Sequence, residues 1–264
     1  VLTQQVLLAF ALTLVAGLAT GLGGVVAVLR RSPGTGFLAG SLGFSAGVML
    51  YVSFVEILPE GRAELGEAFG QSRGSWLATG VFFAGIAVIA VIDKLVPEAI
   101  NPHEPGSTEQ KRRQAMMMKA GAMTAVALAI HNFPEGFATF TAALANPSVA
   151  IPVVVAIAIH NIPEGIAVAV PVRDATGSRA KGLLWATVSG IAEPAGAAVG
   201  FLFLMPVMGP AALGVSFAAV AGIMVYICLD ELLPTAVKTG KHHVAIYGLI
   251  AGMGVMALSL ELLG

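Results

Sequence analysis

Long apolar runs almost free of charge constrain this chain more than any other feature. A helix crossing the hydrocarbon core of a bilayer needs about 20 mostly apolar residues. Between polar or Gly/Pro breaks the sequence offers eight such runs, at 2–29, 37–58, 76–96, 120–145, 149–172, 183–204, 211–235 and 244–263. In lipid every backbone polar group must be satisfied within the spanning segments, so runs of this kind fold as helices. Charged residues make up only 11% of the 264 positions, against about 25% in a soluble domain. A soluble fold of this size could not cover its surface with so few. The expectation is an all-α polytopic membrane protein, one transmembrane domain over 1–264 with eight spans. The first run lacks a basic leader and is too long for a cleaved signal segment. Cys228, the sole cysteine, lies in an apolar run, which excludes a disulfide scaffold. A net charge of −1 leaves no basic footprint for nucleic acid.

The connections orient the spans. Arg30 and Arg31 follow span 1, and Lys94, Lys111, Arg112, Arg113 and Lys119 follow span 3. Arg173, Arg179 and Lys181 follow span 5, and Lys238 and Lys241 follow span 7, so twelve of the fourteen basic residues share one side. Basic loops stay in the cytoplasm, which puts both termini outside. The connection 97–118 is polar, starts Pro-rich and reads as a mobile cytoplasmic linker.

Two internal repeats organise the spans. His131-Asn132-Phe133-Pro134-Glu135-Gly136 in span 4 recurs at an offset of 29 as His160-Asn161-Ile162-Pro163-Glu164-Gly165 in span 5. A weaker repeat at an offset of 175 pairs Gly47, Met49, Tyr51, Glu56, Leu58 and Pro59 of span 2 with Gly222, Met224, Tyr226, Glu231, Leu233 and Pro234 of span 7. Five spans separate these partners, so the two copies point in opposite directions. The expected plan is 3+2+3: an inverted pair of three-helix units around the 4–5 hairpin. Such plans belong to secondary transporters with a midplane site. Aligning span 1 with span 6 by their small polar pairs sets Thr20-Gly21 on Ser189-Gly190 and Gly24 on Glu193.

The doubled motif carries the chemistry. On a helix His(i) and Glu(i+4) share a face, and each Pro frees a carbonyl one turn earlier, at Ile130 and Ile159. A carboxylate at the bilayer centre costs at least about 2.5–3.5 kcal/mol, and Glu135 and Glu164 are two, with no cationic partner in either span core. A divalent cation resolves that conflict, with His131 and His160 supplying nitrogen and Asn132 and Asn161 neutral oxygen. Mixed N/O donors without thiolate suit Zn²⁺, Fe²⁺, Mn²⁺ or Co²⁺, and two bridging carboxylates can hold two ions side by side. The bland alternative, polar groups gluing helices together, asks for much less than a duplicated His/Glu face. Glu193, before Pro194 in span 6, is a third intramembrane carboxylate, read as a ligand to a second metal position or as a structural or proton-carrying group. Glu56 at the outer end of span 2, and Asp230 and Glu231 at the inner end of span 7, would attract cations at entrance and exit or be merely solvated; Asp93 at the inner end of span 3 is similar.

At its two His-Asn-x-Pro-Glu-Gly copies the sequence resembles the ZIP (Zrt/Irt-like) metal-transporter family, and His160–Pro171 is especially similar to the bacterial ZupT-type branch. The resemblance implies a binuclear centre: His131, Glu135, His160 and Glu164 around one ion, Asn132, Asn161 and Glu193 around the other, with Glu135 and Glu164 bridging. It also implies an exit-side cation site at Asp93, Asp230 and Glu231. It implies that spans 1, 4, 5 and 6 slide as a unit against spans 2, 3, 7 and 8, and that the latter support a homodimer. The 3–4 loop departs from the often His-rich family pattern in having only His103.

The expected function is secondary transport of divalent metal (zinc, iron and similar, with Mn²⁺, Co²⁺ and Cd²⁺ as further substrates) across a bacterial inner membrane into the cytoplasm, by an elevator-like mechanism. No catalytic residue or resident cofactor is expected. A metal-selective channel would use the same site without alternating exposure. An intramembrane metalloenzyme would use the His/Glu pairs to activate water, but no His-Glu-x-x-His stands in the sequence.

Overall fold

The computed structural model describes residues 2–29, 34–95, 118, 122, 125–126, 128–129, 132–133, 135–137, 139–144, 147–204 and 209–263. His131 and nearly all of the 97–118 linker lie outside them. Among the described residues every regular element is helical. In chain order these are α1 (Leu2–Leu29), α2 (Thr35–Val52), α3 (Leu58–Phe69), α4 (Gln71–Leu95), α5 (Pro147–Thr176), α6 (Arg179–Gly190), α7 (Ala192–Val199), α8 (Pro210–Ile227), α9 (Leu233–Lys238) and α10 (His242–Leu263). The described part of 118–144 is also helical.

Six stretches among the described residues are long and apolar enough to cross a membrane: Gln4–Leu29, Thr35–Phe69, Gln71–Ile92, Arg179–Phe203, Pro210–Lys238 and His242–Glu261. Their outer faces carry large apolar side chains, with Trp76 77% and Phe203 72% exposed. Continuous display of that kind suits lipid and not water. Hydroxyls along the helices mostly turn back onto the carbonyl four residues earlier, as Thr13 does to Ala9 (2.9 Å), Thr187 to Leu183 (2.9 Å) and Ser216 to Ala212 (2.8 Å). That bond satisfies them without water.

The second helix runs further than the apolar run that marks it. It continues past 58 to Phe69, because Leu58–Phe69 buries only the stripe Leu58, Gly61, Leu65 and Gly66, leaving its polar residues outside. Gly70, at φ 87°, ends it with a conformation that favours glycine. Of three π-helical turns among the described residues, Gly200–Leu204 follows α7, and Ser53–Ile57 and Cys228–Leu232 join α2 to α3 and α8 to α9. These last two each close with an i→i+5 bond, Leu58 N–H to Ser53 O and Leu233 N–H to Cys228 O. Proline follows at 59 and at 234, and its ring would strike the carbonyl four residues back in a regular helix; the widened turn relieves the clash. The two turns stand 175 residues apart, at the offset of the weaker sequence repeat.

Glycines lock helices at backbone distance, and the locks repeat. A β-carbon on Gly47 would collide with the Leu249 carbonyl, and one on Gly252 with that of Phe44. Moving 175 residues along, one on Gly222 would collide with the Phe82 carbonyl, and one on Gly85 with that of Ala219. The same reciprocal lock joins α1 to α5 through Gly23 against Ile162 and Gly165 against Thr20. It joins 118–144 to α7 through Gly136 against Glu193 and Gly196 against Phe133. Gly17 and Gly190 cross each other, each facing the other's carbonyl.

Among the described residues these close approaches sort the helices into two sets. One contains α1, α5, α6, α7 and 118–144; the other contains α2, α3, α4, α8 and α10. No glycine among the described residues meets a neighbour of the other set at such range.

Candidate metal centre

The described polar side chains of the doubled motif lie inside the first set with Glu193. Asn132, Glu135, His160, Asn161, Glu164 and Glu193 are all at most 1% exposed. α5 carries His160, Asn161 and Glu164 on consecutive turns, the 118–144 segment carries Asn132 and Glu135, and α7 carries Glu193 in its first turn.

These groups hold one another. His160 Nε2 lies 2.9 Å from Glu135 Oε1, which ties the imidazole of one motif copy to the carboxylate of the other. The Asn161 amide donates to the Ala16 carbonyl (3.0 Å) and to Glu193 Oε1. The Asn132 amide donates to the Ser189 carbonyl (3.3 Å). Both amide N–H₂ groups are spent on backbone of α1 and α6, which leaves each amide oxygen as the remaining acceptor. Asn132 Oδ1, Asn161 Oδ1 and Glu193 Oε2 find no hydrogen-bond partner among the described residues. Buried polar atoms are nearly always paired, so three orphan oxygens in one cluster mark a place built for something else. Three carboxylates, an imidazole and two amide oxygens are a donor set that a divalent ion can satisfy. Among the described residues no three His, Cys, Asp or Glu side chains converge on one point; the groups are paired off with each other instead.

Ser45 belongs to the site and was not singled out from the sequence. Its hydroxyl donates to Glu164 Oε1 at 2.9 Å, reaching across from α2 in the other set of helices. The available signal was weak, a small polar residue in an apolar run. Beside it, a groove of about 390 Å³ between α2 and α5 is lined by Gly36, Phe37, Gly40, Ser41, Phe44 and Pro163, the last adjacent to Glu164.

The structure corrects the alignment of span 1 with span 6. Asn161 bonds to Ala16 as Asn132 bonds to Ser189, and Gly17 crosses Gly190. Both correspondences, Ala16 with Ser189 and Gly17 with Gly190, fix the offset at 173, which places Thr20, and not Gly24, at the counterpart of Glu193. The sequence match was drawn by adjacent small residues, whereas the crossing point of the helices sets the true correspondence.

Glu56 and Glu231 lie half-buried at matching places on the π-helical turns Ser53–Ile57 and Cys228–Leu232, and Asp230 is exposed. The side chain of Asp93 lies outside the described residues.

A family model described as ZIP zinc transporter matches residues 93–260. The chain belongs to the ZIP family. It is 68% identical over 263 residues to a protein named zinc transporter ZupT from Corynebacterium efficiens, covering 98% of each chain. It is 68% identical over 260 residues to its namesake in Corynebacterium glutamicum, covering 97% of this chain and 99% of that one. The Streptococcus mutans protein of the same name is 53% identical over 262 residues, 99% of each. These similarities place this ZIP chain in the ZupT branch, among integral membrane transporters and not enzymes.

Proposed function

We propose that this ZIP-family chain carries zinc, and with it Fe²⁺, Mn²⁺, Co²⁺ and Cd²⁺, across a bacterial inner membrane into the cytoplasm. The observation that carries the reading is the buried cluster in which both motif copies and Glu193 meet with three orphan oxygens. His131, Glu135, His160 and Glu164 hold one ion and Asn132, Asn161 and Glu193 the other, with Glu135 and Glu164 bridging. Binding neutralises carboxylates that otherwise stand in the apolar layer, which lowers the barrier to moving them through it. Asp93, Asp230 and Glu231 draw the released ion toward the cytoplasm, and Glu56 gathers ions outside.

The sorting of helices by glycine locks supports an elevator-like motion. Each set is interlocked at backbone distance within itself, and among the described residues the two are joined at the site by a softer contact of side chains, Ser45 on Glu164. The repeated locks and paired π-helical turns support the inverted 3+2+3 plan of eight helices. With both termini outside, the groove beside Pro163 opens toward the cytoplasm. A homodimer through the second set would give the sliding unit a fixed partner.

Uptake by the purified chain in proteoliposomes, run with a Zn, Fe, Mn, Co and Cd panel, tests the reading. Saturable Zn²⁺ uptake that vanishes in Glu135→Ala and in Glu164→Ala supports it. Uptake unchanged by both substitutions overturns it, and uptake that never saturates favours a channel.

A further inference from the structure

We propose that Thr20 holds a water molecule on the metal ion bound by Asn132, Asn161 and Glu193, acting as the neutral counterpart of Glu193. The inference rests on the transport reading above and assigns a role to a residue of α1.

The correspondence is geometric. The β-carbon of Glu193 would lie 3.4 Å from one built on Gly17, and the β-carbon of Thr20 would lie 2.9 Å from one built on Gly190. Asn161 on Ala16 matches Asn132 on Ser189, and Asn161 also meets Glu193; the same correspondence pairs Asn132 with Thr20. Thr20 is fully buried, and its hydroxyl has no hydrogen-bond partner among the described residues. Other buried hydroxyls such as Thr13 and Ser53 return to the carbonyl four residues earlier, at 2.9 Å and 2.7 Å. For Thr20 that carbonyl belongs to Ala16, which already accepts the Asn161 amide. By that correspondence the orphan Thr20 Oγ1 takes, opposite Asn132, the place that Glu193 Oε1 takes opposite the Asn161 amide.

Length decides how Thr20 takes part. A glutamate oxygen lies two bonds further from Cβ than a threonine oxygen, a reach longer by about 2 Å through space by ordinary bond lengths. One O–H···O hydrogen bond of about 2.7–2.8 Å spans that shortfall. A water on the ion fills it, donating to Thr20 Oγ1. The result is an ion gripped by a carboxylate on one side and by an exchangeable water on the other. Transport needs such a weak side, because a site must release what it binds.

Titration calorimetry on the purified full chain in detergent, with Zn²⁺ and separately with Mn²⁺, tests this. Thr20→Val, which keeps the shape, and Thr20→Ala, which removes bulk, should each weaken the weaker of two binding events five- to twentyfold and leave the stronger within twofold. Thr20→Ser should stay within twofold for both. A weaker event unchanged in a folded Thr20→Val or Thr20→Ala chain overturns the role of Thr20 while leaving the transport reading standing. A wild-type chain that binds neither ion overturns both.

Discussion

Ser45→Ala removes a hydrogen bond that links the two sets of helices at the site. The hydroxyl donates to Glu164 at 2.9 Å, and both groups are fully buried. A hydrogen bond to a charged group contributes about 1.5–3 kcal/mol net. If the two sets slide, Ser45 and Glu164 separate, so the bond stabilises only the arrangement described here. Its loss should shift the equilibrium away from this arrangement by about 10- to 100-fold, at about 1.4 kcal/mol per decade. Cys228 is buried and is the sole cysteine, so a Ser41→Cys probe in the groove can be labelled without background. In membrane vesicles exposing the cytoplasmic face, labelling of Ser41→Cys by an impermeant maleimide should slow when Ser45→Ala is added. The effect should disappear in a Glu164→Ala background, where no acceptor remains. Labelling that is equally fast with and without Ser45→Ala would refute the idea that this bond selects between arrangements.

Further outcomes follow from the packing and the site. Gly165→Ala and Gly23→Ala drive a methyl into a facing carbonyl, and overpacking of that kind costs about 1–3 kcal/mol. Their melting temperatures in detergent should fall by several degrees, while Gly254→Ala, with open space around it, should melt like the parent or slightly higher. Glu193→Gln keeps the bond from Asn161 through its amide oxygen and removes one charge; Zn²⁺ uptake in proteoliposomes should drop in part, and a wild-type profile would count against Glu193 as a ligand.

What the sequence showed depended on how local each signal was. The first apolar run was legible as a helix because hydropathy is a local signal, and α1 lies on it. The extension to Phe69 was hidden, since a helix that buries one narrow stripe carries too little apolar character to register as a span. The two motif copies were legible because each is written in six consecutive residues. Ser45 and Thr20 were not, because their meaning comes from what a neighbouring helix brings opposite them. The correspondence between spans 1 and 6 was misread by four residues for the same reason: the crossing of Gly17 and Gly190 is a contact between distant segments, invisible to local similarity.

The central claim is that the buried His/Asn/Glu cluster is where the ion binds, and zinc-edge X-ray absorption on the zinc-loaded chain tests it most directly. The account predicts a first shell of nitrogen and oxygen at about 2.0–2.2 Å with imidazole scattering beyond it, lost in the Glu135→Ala/Glu164→Ala double variant. A sulfur shell near 2.3 Å, which would implicate Cys228, or a spectrum unchanged in the double variant, would contradict it.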